Sequence, residues 1–192
     1  MTTSSSTAPT DASPAQGRTA QPVPSRRPRA IPEEHLAQLR SRDDAGNAMR
    51  PFVATPDGLP IDSVGSPLRC CLRSIRGGER VALVSYAPLR RWAARTGADP
   101  GAYDEVGPIF IHADPCPGPS DTSYPFARPG ALRTIRRYDS RGHIVGGQQF
   151  RIPEDAQDGF ARVLDHAFGD PRVVLVHVRA LEYGCFQFEV RR

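Results

Sequence analysis

The sequence predicts an α+β fold: a single domain with an antiparallel or mixed sheet covered by one main helix, behind a disordered N-terminal tail. Three observations carry this expectation. Short runs rich in Val, Ile and Phe recur between Arg80 and Val190, punctuated by Gly, Pro and Asp, as strands and their turns are. One long segment repeats Phe160, Val163, Leu164, Ala167 and Phe168 at helical spacing, a stripe that must cover a sheet. Residues 1–30 are mostly Ser, Thr, Pro, Ala and Gln, with too few large apolar side chains to offset the entropy of ordering.

After the tail, residues 31–64 form an N-terminal extension to a main domain over residues 65–192. The extension opens with a short helix: Pro32 suits a first helical position, and Glu33 and Glu34 lie where the dipole favours acids. Leu36 and Leu39 supply its apolar edge. Residues 43–49 are a polar loop, 50–54 a short edge strand, and 57–60 a turn.

In the main domain, residues 68–75 and 80–86 read as the two strands of a hairpin around Gly77-Gly78. Residues 88–95, closed by Gly97, read as a helix that buries Leu89, Trp92 and Ala93 and shows Arg90, Arg91 and Arg95 to water. A short strand, Pro108 to Ile111, then delivers His112. Alternation puts Phe110 and His112 on one face and Ile109 and Ile111 on the other.

The connection that follows runs for roughly 18 residues, far beyond the usual ~4–6, and such loops are functional lids or disordered. Pro115, Pro117, Pro119 and Pro125 argue against disorder, since each locks its own φ. Asp114, Cys116, Gly118 and Tyr124 each precede a proline and are biased to extended backbone. A stiffened loop suits the presentation of Cys116 and Tyr124 over a sheet end. It suits a plain surface connection equally.

Residues 132–138 and 144–150 flank a turn at 139–142. Arg133, Arg136 and Arg137 on the first of these strands could meet an anionic ligand, although an exposed sheet face explains them too. Pro153 opens the main helix, with Glu154 and Asp155 in its first turn and Gly169 at its end. Residues 172–178 and 185–190 close the chain as two strands. Phe186, Phe188 and Val190 share one face of the second, Cys185, Gln187 and Glu189 the other. Either His177 or Val178 stands opposite Cys185, and register decides whether an imidazole–thiol pair forms.

Composition excludes several chemistries. All 25 basic residues are Arg, so there is no lysine for a Schiff base or a phosphate loop. The net charge of +4 is concentrated in residues 1–30, which carry +3. The folded part therefore lacks the positive footprint of a nucleic-acid binder, and no nucleic-acid partner is expected. No apolar run is long enough for a signal or a membrane span, so a cytoplasmic protein with reduced thiols is expected. No Gly-x-Gly-x-x-Gly after a strand and no nucleophile elbow occurs. Oligomeric state is left open.

The blocks Pro67-Leu68-Arg69-Cys70-Cys71-Leu72, Gly78-Glu79-Arg80-Val81, Gly107 to His112, Asp170-Pro171-Arg172-Val173 and Gly184-Cys185-Phe186 together resemble a bacterial family, domain of unknown function 1203. The resemblance covers residues 65–190, about two thirds of the chain. It implies a small bacterial domain and supplies no reaction, substrate or catalytic residue.

Candidate chemistry therefore rests on His and Cys. Cys116, activated by His112 or His177 and oriented by Asp114 or Glu189, is the candidate nucleophile, with His112 as its catalytic partner. Tyr124, His177 and Cys185 are candidate ligand-binding residues around the same pocket. Asp104 and Glu105 could do acid–base work but read equally as solvated loop acids. His112, Cys116, His177, Cys185 and one of Cys70 or Cys71 could also form a nitrogen–sulfur metal site. Neighbouring strand residues face opposite ways, so only one of Cys70 and Cys71 would join it. No close ligand pair of the zinc-signature kind occurs, so no cofactor is predicted and zinc or iron stands as the lesser alternative. The leading expectation is a small-molecule-binding domain, an enzyme or not, with a His/Cys-lined pocket beneath the proline loop. The rival is a protein-interaction module with inert structural cysteines.

Overall fold

A computed structural model describes Met1, residues 26–56 and residues 63–192. Most of the expected tail and the expected turn at 57–60 lie outside the described residues. Residues 26–30 are docked on the domain: the Arg29 N–H donates to Glu189 O at 2.9 Å, and the Arg26 guanidinium lies 4.4 Å over the Phe168 ring.

The fold is α+β, with two antiparallel sheets where a single one was expected. The first holds β1 (Pro51–Val53), β2 (Arg80–Tyr86) and β3 (Gly107–His112) in that spatial order. The second has the order β5 (Ile144–Arg151), β4 (Leu132–Tyr138), β6 (Leu175–Ala180), β7 (Phe186–Arg191). The sheet ends at β3 because the far edge of that strand is already taken. Leu68 bridges Phe110, and the Arg69 N–H donates to Phe110 O at 3.0 Å.

Each sheet has its own apolar cover. Helix α1 (Glu33–Ser41) buries Leu36 and Leu39 with Val81, Val84, Ile109 and Ile111. Helix α3 (Ala156–Gly169) lays Phe160, Val163, Leu164, Ala167 and Phe168 on Ile135, Val176, Val178, Phe188 and Val190. Burying Phe160, Leu164 and Phe168 stabilises by roughly 1.5–3 kcal/mol each. Helix α2 (Pro88–Thr96) packs Leu89, Trp92 and Ala93 with Tyr138 and Leu175. It ends as anticipated on Gly97, whose φ of 73° lets its N–H reach Ala93 O.

Four local expectations are corrected. Residues 68–75 do not form a strand. The chain turns back on itself there, closed by Leu68 N–H to Arg73 O at 2.8 Å and Leu72 N–H to Leu68 O at 3.0 Å, with Leu72 at φ 56°. Helix α3 starts after Pro153, because Ile152 is still tied to Ala131 and the Pro153 ring sits against Gly159. Arg91 does not point into water: its guanidinium forms a shielded bidentate pair with Asp44.

The fourth concerns the closing hairpin. His177 pairs with Glu189 and Val178 with Phe188, but a bulge then sets Arg179 opposite Phe186. Cys185 lies beyond the ladder, its carbonyl accepting from Ala180 N–H. Neither His177 nor Val178 faces it. The extra residue also re-aims Phe186, which meets Tyr86 and His177 while Phe188 meets Phe160 and Tyr124.

Candidate metal centre

Three local structures converge on one point beside the first sheet. The first is the 68–74 turn. Because it is a turn and not a strand, Cys70 and Cys71 need not face opposite ways, and their sulfurs lie 3.9 Å apart. This overturns the expectation that only one of them could join a cluster. The second is the end of β3, where pairing of Val81 with His112 fixes the imidazole. Its Nδ1 lies 3.4 Å from Cys70 Sγ and 3.8 Å from Cys71 Sγ. The third is the start of the proline loop, held by Ala113 N–H to Arg80 O and by the Arg80–Asp114 pair at 2.6 Å. It brings half-buried Cys116 against the same core. One ligand atom from each of Cys70, Cys71, His112 and Cys116 lies within 4.8 Å of all the others.

These distances suit a single ion. A tetrahedral zinc about 2.3 Å from sulfur and about 2.0 Å from nitrogen sets edges of roughly 3.8 Å between sulfurs and roughly 3.5 Å between sulfur and nitrogen. The Cys70–Cys71 and His112 separations already stand near those values. Cys70 Sγ also accepts the His112 backbone N–H at 3.3 Å, a bond that favours a charged sulfur.

The surroundings favour the ligating forms. Burial holds the His112 pKa below its ordinary value, with Glu79 opposing only in part, so the ring is neutral near pH 7 and a nitrogen lone pair is available. The S–H that Cys70 donates, followed by the charge of Arg73, draws the Cys71 thiol down to about 7 against the cost of burial. Cys70, as donor in that bond and more deeply buried, is pushed up. Metal-free, the pair shares one dissociable proton more easily than two. A cation would displace both.

Beyond the ring stand Glu79 and Arg73. They form a two-pronged pair at 3.0 and 2.7 Å, and those bonds from Arg73 hold the Glu79 carboxyl down at about 2. His112 Nε2 lies 3.8 Å from Glu79 Oε2 and 3.3 Å from Arg73 Nη2. With Nδ1 on a metal, Nε2 would carry the hydrogen and have Glu79 as the acceptor on that side, the carboxylate–histidine arrangement that orients a ligating ring, once Arg73 Nη2, which can only donate, gives way to it. Arg40, whose Nε donates to His112 O at 3.4 Å, adds positive charge beside a centre that would carry a net negative one.

Of the five sequence candidates, His112 and Cys116 are brought together, and Tyr124, His177 and Cys185 are not. Tyr124 lies at the other end of the loop, stacked on Phe160 at 5.2 Å and held by Gln157. His177 is fully buried between Tyr138 and Phe186, and neither ring nitrogen has a hydrogen-bond partner among the described residues. Cys185 sits on the 181–185 connection, its sulfur 3.7 Å from Tyr183 O. Sequence reasoning passed over Cys70 and Cys71 as a pair, and Arg73 and Glu79 altogether. One signal was present: between Leu68 and Ser74 there is no β-branched residue, which is poor composition for a strand.

Fold and site together define a class: a small α+β domain of two antiparallel sheets with a Cys₃His cluster beside the first. The chain belongs to the family described as Protein of unknown function (DUF1203), which matches residues 65–192 and so includes all four clustered residues. No curated protein and no solved structure matches it. Among the described residues no helix is long and apolar enough to cross a membrane.

Proposed function

We propose that this is a metal-binding domain whose Cys70, Cys71, His112 and Cys116 hold one zinc ion. The observation that supports it is the convergence of one nitrogen and three sulfur atoms within 4.8 Å, with the Cys70, Cys71 and His112 edges near those of a tetrahedron. Sulfur-rich donors favour zinc or iron over hard cations, and four protein ligands leave no open position for substrate. The ion would act as a clasp, tying the 68–74 turn and the proline loop to the end of β3. Elemental analysis of untagged protein, purified without chelator, tests this. About one zinc per chain is expected; no stoichiometric metal, together with no uptake from added zinc or ferrous salt, would end the proposal.

The same contacts support a second reading. Without metal, an imidazole next to two thiols is the arrangement of an activated nucleophile, and the 3.8 Å contact with His112 supports Cys71 as the reactive sulfur rather than Cys116. Thiol titration separates the two. Fast reaction unaffected by zinc favours the nucleophile, and protection by zinc that chelator removes favours the clasp.

A further inference from the structure

A cleft of about 970 Å³ opens between the two sheets, with Leu83 and Phe110 on one wall and Arg133 and Gln187 on the other. That volume falls in the range of small-molecule sites, roughly 300–1,000 Å³. None of the four clustered metal-site residues lines it, although Arg69, the neighbour of Cys70, does.

Two arginines in this lining are almost wholly shielded, Arg69 at 3% exposure and Arg133 at 9%. Arg69 donates from Nε to Phe186 O at 2.8 Å and from Nη1 to Pro67 O. Arg133 donates to Leu132 O at 2.7 Å and Phe126 O at 2.9 Å. All four acceptors are neutral carbonyls, which orient the guanidiniums without cancelling their charge. Elsewhere shielded arginines meet acids: Arg91 with Asp44, Arg179 with Glu105, Arg191 with Glu189. Among the described residues Arg69 and Arg133 have no such ion pair. Glu182, the acid whose charge Arg133 feels, also lines the cleft, but it is exposed and makes no ion pair with Arg133 among the described residues. A buried charge left without a counter-ion is costly, and each fork keeps N–H groups that match the geometry of an oxyanion.

We infer that this cleft binds a small organic oxyanion, with a carboxylate or phosphate head against Arg69 and Arg133 and an apolar body along Leu83, Phe110 and Phe126. The inference does not depend on the metal.

Calorimetric titration of the full chain with octanoate, octyl phosphate and octanol tests it. At least one anion is expected to bind more tightly than about 1 mM, with octanol weaker by about ten-fold or more. The better anion shows which head the guanidiniums take. Arg133→Gln should abolish that preference, but its side chain also ties Leu132 and Phe126, so a gentler pair of variants decides the matter. Leu83 lines the cleft from an exposed position. Leu83→Glu should weaken anion binding about ten-fold relative to Leu83→Gln, by like-charge repulsion. Octanol binding as well as the anions, no binding by either anion, or equal effects of the two Leu83 variants would each overturn the inference.

Discussion

Cys70 and Cys71 are adjacent in the chain, yet both sulfurs approach the same nitrogen, His112 Nδ1, at 3.4 and 3.8 Å. A strand would have sent them to opposite faces. The turn at Leu72 brings them to one side, and that single local departure converts two isolated thiols into half of a four-atom ligand set.

The first prediction concerns that set. Cys116→Ser should leave the fold intact, because Cys116 is only half buried at the start of a loop. It should lower zinc affinity by more than the ~10–100-fold that loss of a supporting partner costs. The melting temperature of the metal-loaded protein should fall toward that of the chelated wild type, and chelator should shift the variant little. A competition titration with a chromophoric chelator measures the affinity. A variant that keeps wild-type affinity would remove Cys116 from the centre.

The second concerns the support behind the ring. Glu79→Gln keeps the shape but loses the charge that faces His112 Nε2 and pairs with Arg73. Zinc affinity should fall by about 10–100-fold. The pH profile gives an independent check on the chelated protein. The Glu79 pKa is depressed to about 2, so its stabilising effect is present above the ordinary value of 4.5 and is lost as pH falls toward 2. The acid unfolding curve of Glu79→Gln should lack that part of the slope.

The third concerns His177. Its pKa is held well below 6.5 by burial and then by Arg179, Arg136 and Arg191, while Glu189 stands 4.0 Å away and is itself raised by burial. A histidine with a depressed folded value stabilises the native state above 6.5; below 6.5 the unfolded chain takes a proton that the native ring refuses. Between pH 7.5 and 5.5, stability should therefore fall more steeply in the wild type than in His177→Leu. Because both ring nitrogens are unpartnered, the leucine variant should be no less stable at pH 7.5. Denaturant melts at the two pH values measure both effects, and parallel pH dependence would contradict the first.

The fourth tests packing. A Cβ on Gly159 would sit 2.4 and 2.6 Å from the Pro153 ring. Gly159→Ala gains about 1 kcal/mol of helix propensity but should lose roughly 1–3 kcal/mol to overpacking, because a proline ring cannot swing aside. Net destabilisation is expected. Gly146→Ala, whose Cβ would have the flexible head of Arg137 as its nearest neighbour, should be tolerated better. Urea midpoints of the two variants rank them.

What the sequence determined by itself was the set of elements governed by local rules. Strands 80–86 and 132–138 and the helix from Pro88 follow from alternation, helical period and punctuation by Pro and Gly, which depend only on neighbours along the chain. The α+β class and the covering role of helix α3 were legible for the same reason, and so was the position of His112 at the end of a strand. Tertiary structure decided the rest. Two sheets form because the 68–74 turn occupies the open edge of β3, a contact across some 40 residues. The closing hairpin keeps His177 from Cys185 because its register sets His177 opposite Glu189, four residues along the partner strand, and register alone decides which side chains meet across a strand pair. Cys70 and Cys71 join His112 and Cys116 because three segments distant in the chain meet, and no spacing rule encodes a meeting of that kind.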